Sequence, residues 1–245
     1  MPKTYNDLYL DTRRKLRDGG IDSYNLEARI IVSQAAGKSM EKFMQGLGLY
    51  TGGDMQERVS EMVKRRLSGE PVAYLTGYWE FYGMPVEITT DVLIPRTDTE
   101  LLVDMAIEFL SGNKMDARVL DLCAGSGCIG CAIAAKRPAA RVVMVDNSKG
   151  AMAVCRKNVA LNNLGVRCTC VEADVFEIPP ILVGSFDLVV CNPPYIPSAD
   201  IEKLDRSVRN YEPHSALNGG EDGLDYYRAV IKNWKQIIRD RKSVV

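Results

Sequence analysis

His214 is the only histidine in a chain of 245 residues. Histidine is the side chain whose ordinary pKa lies nearest neutrality, so a relay of several histidines is excluded as the source of proton chemistry. No apolar run approaches the roughly 20 residues needed to span a bilayer. The opening stretch Met1-Pro2-Lys3-Thr4-Tyr5-Asn6-Asp7 has no apolar signal core, which predicts a cytoplasmic location and no membrane partner. A charge excess is missing too. Lys and Arg total 31 against 32 Asp and Glu, for a net charge of −1, whereas a dedicated duplex DNA binder needs a basic surface to neutralise phosphates. Lys64-Arg65-Arg66 is a local basic cluster and reads as the solvated face of a helix. The cysteines number seven, an odd count. Cys128-Ile129-Gly130-Cys131 is formally C-x-x-C, but it has no second ligand pair and no thioredoxin-like setting, so no metal site is expected. Buried thiols acting as small hydrophobes fit better.

What is present is enough apolar residue (46%) and length for one large or two modest domains with a real core. Residues 1 to about 70 read as helical. Thr4 can cap a helix to about Arg17, ended by Gly19-Gly20. Ser23 can cap a second, with Leu26, Ile30, Ile31 and Ala35 on one side, and a short third can start at Ser39. A fourth carries the stripe Met55, Val59, Met62, Val63 and Leu67 and ends at Gly69 before Pro71. Residues 71–95, dense in aromatics at Tyr74, Tyr78, Trp79, Phe81 and Tyr82, read as a β-hairpin linker. Those rings are expected either as a binding surface or as interdomain core. Thr97-Asp98-Thr99-Glu100 fits a capping box, S/T-x-x-E. From residue 118 onward strands alternate with helices: strands at 118–122, 141–145, 167–171 and 186–191, helices at 128–136 and 149–161. That alternation predicts a doubly wound, mostly parallel α/β sheet.

Three places carry chemistry. The loop Asp121-Leu122-Cys123-Ala124-Gly125-Ser126-Gly127 joins a strand to a helix, where α/β folds bind nucleotides. Gly125, Gly127 and Gly130 satisfy the dinucleotide pattern G-x-G-x-x-G. Asp146 ends the next strand about 20 residues on, the right separation for a carboxylate accepting from ribose hydroxyls. Both features fit nicotinamide dinucleotides and S-adenosylmethionine, which share an adenosine. Asp174 follows the third strand and could accept from an adenine amino group with Val175 packed on the ring. As a plain turn residue it would look the same. Asn192-Pro193-Pro194-Tyr195 decides between the cofactors. Asn192 has an acceptor oxygen, the prolines lack N–H groups and aim their carbonyls rigidly, and Tyr195 adds a flat face. Such a cluster suits a planar NH2 group, which nitrogen methylation requires and hydride transfer does not.

With those residues in view, the chain resembles the release-factor glutamine methyltransferases of the HemK/PrmC type. The resemblance runs through residues 69–77 (Gly-Glu-Pro-Val-Ala-Tyr-Leu-Thr-Gly), 80–83, 92–100 (Val-Leu-Ile-Pro-Arg-Thr-Asp-Thr-Glu), 119–127, 192–196 and 211–224 (Tyr-Glu-Pro-His-Ser-Ala-Leu-Asn-Gly-Gly-Glu-Asp-Gly-Leu). It implies a helical substrate-recognition domain at 1–70 and, after the linker, an S-adenosylmethionine-binding methyltransferase domain at 96–245. The implied reaction is N5-methylation of the glutamine in the Gly-Gly-Gln motif of class-1 peptide chain release factors, in translation termination. Cys123, Ala124, Gly125, Ser126 and Gly127 would then form the cofactor loop and Asp146 the ribose carboxylate. Asp174 and Val175 would neighbour the adenine. Asn192, with Pro193, Pro194 and Tyr195, would hold the target amide, and Asn192 would also border the cofactor.

Departures from the family pattern are Thr97 for a usual proline and Ala124 for a usual threonine. The family continues beyond Trp234 with a further parallel strand and a closing antiparallel pair. Residues 239–245 are expected to hold at most the start of that strand, which would leave the strand before Asn192 with an apolar edge and the chain marginally stable. Two other functions stay open at this point. An adenine-N6 nucleic-acid methyltransferase would share Asn-Pro-Pro-Tyr, although the near-neutral charge and residues 211–224 argue against it. An inactive fragment would fit the short C-terminus.

Overall fold

The computed structural model describes residues 3–112, 116–180 and 184–238. The chain divides into two compact units, Met1–Gly77 and Tyr78–Val245.

The first unit is helical. α1 (Tyr5–Asp18) opens on a reciprocal capping box: the Asp7 N–H donates to Thr4 Oγ1, and the Thr4 N–H donates to the Asp7 carboxylate. α2 (Tyr24–Ala35) buries Ala28, Ile31, Val32 and Ala35. The expected face included Leu26 and Ile30. Leu26 is instead exposed, because positions i, i+3, i+4 and i+7 from Ala28 make the arc that meets the neighbouring helices. α3 (Met40–Gln45) is capped by Ser39 and buries Phe43 completely. α4 (Gly53–Leu67) buries Met55, Val59 and Val63, while Leu67 at the end of the stripe is exposed. The basic cluster on α4 is more than a solvated face. Arg66 makes a bidentate pair with buried Glu27 on α2 at 2.5 and 3.1 Å, and Arg65 forks onto Glu70. Residues 72–76, which lie in the stretch read as hairpin, form a short helix, α5 (Val72–Thr76), stopped by Gly77 at φ +75°.

The second unit opens with a hairpin of β1 (Tyr78–Phe81) and β2 (Met84–Glu87). Its two-residue turn, Tyr82-Gly83, has φ +54° and +71°, and positive φ at both positions matches the right-handed twist of the strands. A 3₁₀ turn at Thr97–Thr99 leads into α6 (Glu100–Ser111). The expected capping box does not form there. Glu100 instead accepts from the Tyr82 N–H at 2.7 Å, a tertiary partner that outcompetes the local one.

β3 (Arg118–Leu122), α7 (Cys128–Lys136), β4 (Arg141–Asp146), α8 (Lys149–Leu161), β5 (Cys168–Glu172) and β6 (Leu188–Cys191) follow. Among the described residues the sheet is parallel, in the order β5-β4-β3-β6. β3, β4 and β6 are rich in Val, Leu, Met and Cys because layers cover both faces. Leu120, Leu122, Val145, Phe186 and Val189 build the core with Trp234. Succession runs from β3 outward to β5 and then returns to β6 on the other side of β3. A crevice therefore opens at the carboxyl ends of β3 and β6.

A four-residue helix, α9 (Arg206–Arg209), and α10 (Asp225–Asn233) complete the unit. Beyond α10, the Phe186 N–H donates to Ile237 O at 2.8 Å and Phe186 bridges Ile238 in parallel, so a neighbour begins beside the strand that carries Asn192. The rest of the expectation for that edge concerns residues 239–245 and lies outside the described residues. Among the described residues no helix is long and apolar enough to cross a membrane.

Candidate active site

At the carboxyl end of β3 the chain must turn sharply into α7. Cys123, Gly125 and Gly127 all take positive φ, at +55°, +53° and +76°. A Cβ on Gly125 would meet nothing within 4 Å, so its backbone borders open space and leaves room for a ligand. Gly127 has a different role. A Cβ there would lie 2.5 Å from Cys155 Sγ, so this glycine lets the loop close onto α8.

Neighbouring strand ends hold the loop. The Gly125 N–H donates to Asp146 Oδ2 at 2.9 Å, and the Ser148 N–H donates to Asp146 Oδ1 at 2.9 Å. Burial pushes the Asp146 pKa up, and those two N–H groups oppose the shift. Each carboxylate oxygen keeps acceptor capacity for a ligand hydroxyl. Asn158 on α8 adds a tie that the sequence did not reveal. It is buried, its Nδ2 donates to Ser126 O at 2.9 Å and to Glu87 O at 3.0 Å, and its Oδ1 accepts from the Glu87 N–H at 2.6 Å.

Beneath the loop lies Asp121, fully buried. Its Oδ2 accepts from the Gly130 N–H at 2.9 Å, and its Oδ1 has no hydrogen-bond partner. Burial, with the charge of Asp146 adding to it, raises its pKa from 3.8 to about 7. Cys128 and Cys131 of the C-x-x-C stretch are buried on α7, and burial drives both thiols upward, Cys128 to about 12. These are not reactive thiolates.

These elements wall a first cleft that is open to solvent. Cys123, Ala124, Gly125, Ser126, Asp146, Val175, Asn192 and Pro194 all line it. Gly127 and Asp174 do not. The Asp174 carboxylate closes its own turn, accepting from the Phe176 N–H at 2.9 Å and from Asn147 Nδ2 at 3.2 Å. Val175 is fixed by its carbonyl, which accepts from Trp234 Nε1 at 3.1 Å, and Tyr226 joins the wall with its ring edge-on to Phe176 at 4.9 Å.

A second cleft adjoins the first. Pro193, Tyr195, Leu101, Leu102, Met105 and Tyr227 line it, and Tyr195 is 58% exposed. Leu93, Arg96, Thr99, Asn192 and Ala216 belong to both clefts. Asn192 thus stands where a group bound in one can meet a group bound in the other.

The turn of residues 192–195 is held from far along the chain. Ile196 N–H donates to Leu217 O, Gly219 N–H to Ile196 O and Ser198 N–H to Gly220 O, at 3.0, 2.9 and 2.8 Å. A Cβ on Gly219 would fall 2.7 Å from Tyr195 Cα, and one on Gly223, at φ +79°, would fall 2.3 Å from Tyr195 O. Only glycine lets the two segments approach so closely. Sequence reasoning assigned no individual role to Leu93, Arg96, Thr99, Ala216 or Tyr226. The available signal was that all five fall inside the longest matched segments, 92–100 and 211–224, or just beyond.

The arrangement offers an acceptor for a ribose, an apolar and aromatic wall for a base, a backbone cradle and, next door, an acceptor-rich turn. The donor set fits S-adenosylmethionine.

Comparison with known proteins agrees. Residues 7–77 match the family model of the PrmC N-terminal domain and residues 98–206 that of the methyltransferase small domain. A release factor glutamine methyltransferase of Geobacter sulfurreducens is 41% identical over 226 residues, spanning 90% of this chain and 75% of that protein. One from Bradyrhizobium diazoefficiens is 38% identical over 220 residues, 89% of this chain and 73% of that protein. Among solved structures, the catalytic domain of hMettl16 in complex with an RNA hairpin superposes with a TM-score of 0.53 at 19% identity. The match covers 73% of this chain and 66% of that one, a likeness of fold.

Proposed function

Because this chain belongs to the release factor glutamine methyltransferase family, we propose that it moves a methyl group from S-adenosylmethionine to the side-chain nitrogen of a glutamine. The target is the glutamine of the Gly-Gly-Gln loop of class-1 peptide chain release factors. The observation that carries this reading is the position of Asn192 on the walls of both clefts. The first cleft takes the cofactor and the second takes the glutamine.

An amide nitrogen is a poor nucleophile, since its lone pair is delocalised into the carbonyl. Orientation is the remedy, and proximity can supply up to about 7–11 kcal/mol of the barrier. In this reading Asn192 Oδ1 and the Pro193 carbonyl accept the two protons of the amide NH2. They fix its plane and favour the positive charge that develops on nitrogen. Tyr195, exposed on the wall of the second cleft, offers its ring to the amide face. Asp146 accepts from the ribose, Val175 and Tyr226 flank the base, and Gly125 lets the loop backbone approach the ligand. The cofactor supplies a methyl group on cationic sulfur, a good leaving group, so the protein contributes mainly binding and orientation. A Gly-Gly lead-in has no side chains to obstruct a narrow cleft. We assign residues 1–70 to recognition of the release factor, residues 71–95 to a linker and residues 96–245 to catalysis. A release-factor substrate places the reaction in the cytoplasm.

Mass spectrometry of a release factor incubated with the chain and S-adenosylmethionine should find one methyl on that glutamine. Asn192→Ala removes one acceptor from a developing charge, which costs about 1.5–3 kcal/mol, or roughly tenfold or more in kcat. Affinity for S-adenosylhomocysteine should fall much less. Methylation of adenine in DNA or RNA, with none on the release factor, would move the chain to a nucleic-acid function.

A further inference from the structure

Arg96 is the one cationic side chain among the described residues that line the first cleft, where Asp91 and Asp146 supply negative charge. Its position is built from afar. Glu212, 1% exposed at its side chain, accepts from Arg96 Nη2 and, through Oε2, from the Ile94 N–H at 3.2 Å. Burying a carboxylate so completely is costly unless it is paired, so these two bonds lock the segment 94–96 onto residue 212. The Arg96 side chain keeps 43% of its surface exposed. A guanidinium has five donors, and Glu212 uses only part of that fork.

Placement selects what the remaining donors meet. Asp146 ends β4 and Val175 follows β5, which puts the adenosine end of the first cleft over that side of the sheet. Arg96 lies with Asn192 at the other end, where the two clefts join. In S-adenosylmethionine the sulfonium separates the adenosine from an amino-acid tail that ends in a carboxylate. With the adenosine over β4 and β5 and the sulfur near Asn192, the tail falls at the Arg96 end. We propose that Arg96, braced by buried Glu212, binds the carboxylate of the cofactor's methionyl tail. A Gly-Gly-Gln segment would offer this cation only neutral groups, whereas a carboxylate matches its charge and its forked geometry. The proposal rests on the cofactor reading above.

Ligand chemistry tests it on the unaltered chain. Calorimetric titrations are run with S-adenosylhomocysteine, its decarboxylated analogue and 5′-methylthioadenosine, which lacks the whole tail. The wild type should prefer S-adenosylhomocysteine over the decarboxylated analogue by roughly tenfold to a hundredfold. Equal affinities would overturn the proposal while leaving the cofactor reading intact. Arg96→Met should erase the preference by weakening S-adenosylhomocysteine alone, with binding of 5′-methylthioadenosine reporting an intact site. Arg96→Lys should restore part of the preference, and Glu212→Gln should reduce it without touching 5′-methylthioadenosine. If Arg96→Met binds none of the three, the wild-type comparison and Arg96→Lys decide. An unchanged preference in Arg96→Met, with a raised KM for the release factor, would place Arg96 in the second cleft and sink the idea. Failure of all three ligands to bind the wild type would remove the cofactor reading and this proposal with it.

Discussion

The two loops at the heart of the site solve the same problem by opposite means. Each leaves the carboxyl end of one of two paired strands, β3 or β6, and each must expose backbone to a ligand. The loop after β3 bends through three residues of positive φ, and its partners come from the adjoining β4 end and from α8. The turn after β6 is stiffened by two prolines and has no glycine of its own. Its glycines are borrowed: Gly219 and Gly223 come from a segment more than twenty residues later and pack against Tyr195. One loop is flexible by composition and restrained by neighbours. The other is rigid by composition and positioned by a distant clamp. Cofactor loops tolerate adjustment on binding, whereas a turn that must orient a poor nucleophile gains from rigidity.

The sharpest way to separate the two is through Asp121, which underlies the first loop only. Its folded-state pKa, about 7, lies above the ordinary 3.8, so the folded chain holds the proton more tightly than the unfolded chain does. Protonated, Asp121 costs little. As pH rises from about 4 to about 7 the folded state loses up to roughly 4 kcal/mol relative to a chain without this group. Asp121→Asn should abolish that loss, and urea unfolding of both proteins across a pH series would show their stabilities diverging in that window. Parallel curves would mean that a counter-group already satisfies the carboxylate.

Next comes the clamp. Gly223→Ala forces a Cβ into the Tyr195 carbonyl at a left-handed backbone position, costing about 2–4 kcal/mol in strain and crowding. Methyl transfer should fall well beyond what cofactor affinity loses. Equal losses in both would show that the two loops are not independently held.

The smallest effect concerns Ser148, whose Oγ accepts from the Ala151 N–H at 3.2 Å and caps α8 beside Asp146. Ser148→Ala should lower the melting free energy by about 1 kcal/mol and weaken cofactor binding slightly, leaving kcat on the release factor intact. A change in kcat alone would couple α8 to the wrong loop.

The contrast also explains what the sequence made legible. Strands at 118–122, 141–146 and 188–191 are dominated by apolar residues because both faces are covered, and the loop of residues 123–127 carries its own glycines. Everything that makes the first loop work is local, and it could be read. The presence of a hairpin and the Thr4 cap were legible for the same reason. What escaped depends on partners far away in the chain. Glu100 takes the Tyr82 N–H instead of closing a cap, Glu212 reaches Arg96 and Ile94, Asn158 reaches Glu87 and Ser126, and Glu27 takes Arg66 off the surface. None of these pairs has a periodicity or a short spacing to announce it. Leu26 was placed on the wrong side of α2 because hydrophobicity alone does not tell which arc of a helix finds neighbours.

Asn158 has one more consequence, in the terms of local opening. Its single side chain bonds the edge of β2 and the cofactor loop at once. Lifting the hairpin from α8 removes the two Glu87 bonds that orient the Asn158 amide, so opening of the hairpin and loosening of the Ser126 carbonyl are coupled through one side chain. A ligand that holds the loop must lower the population of that open form. Amide exchange at Glu87, whose N–H sits on Asn158 Oδ1 and outside both clefts, then becomes a remote gauge of occupancy.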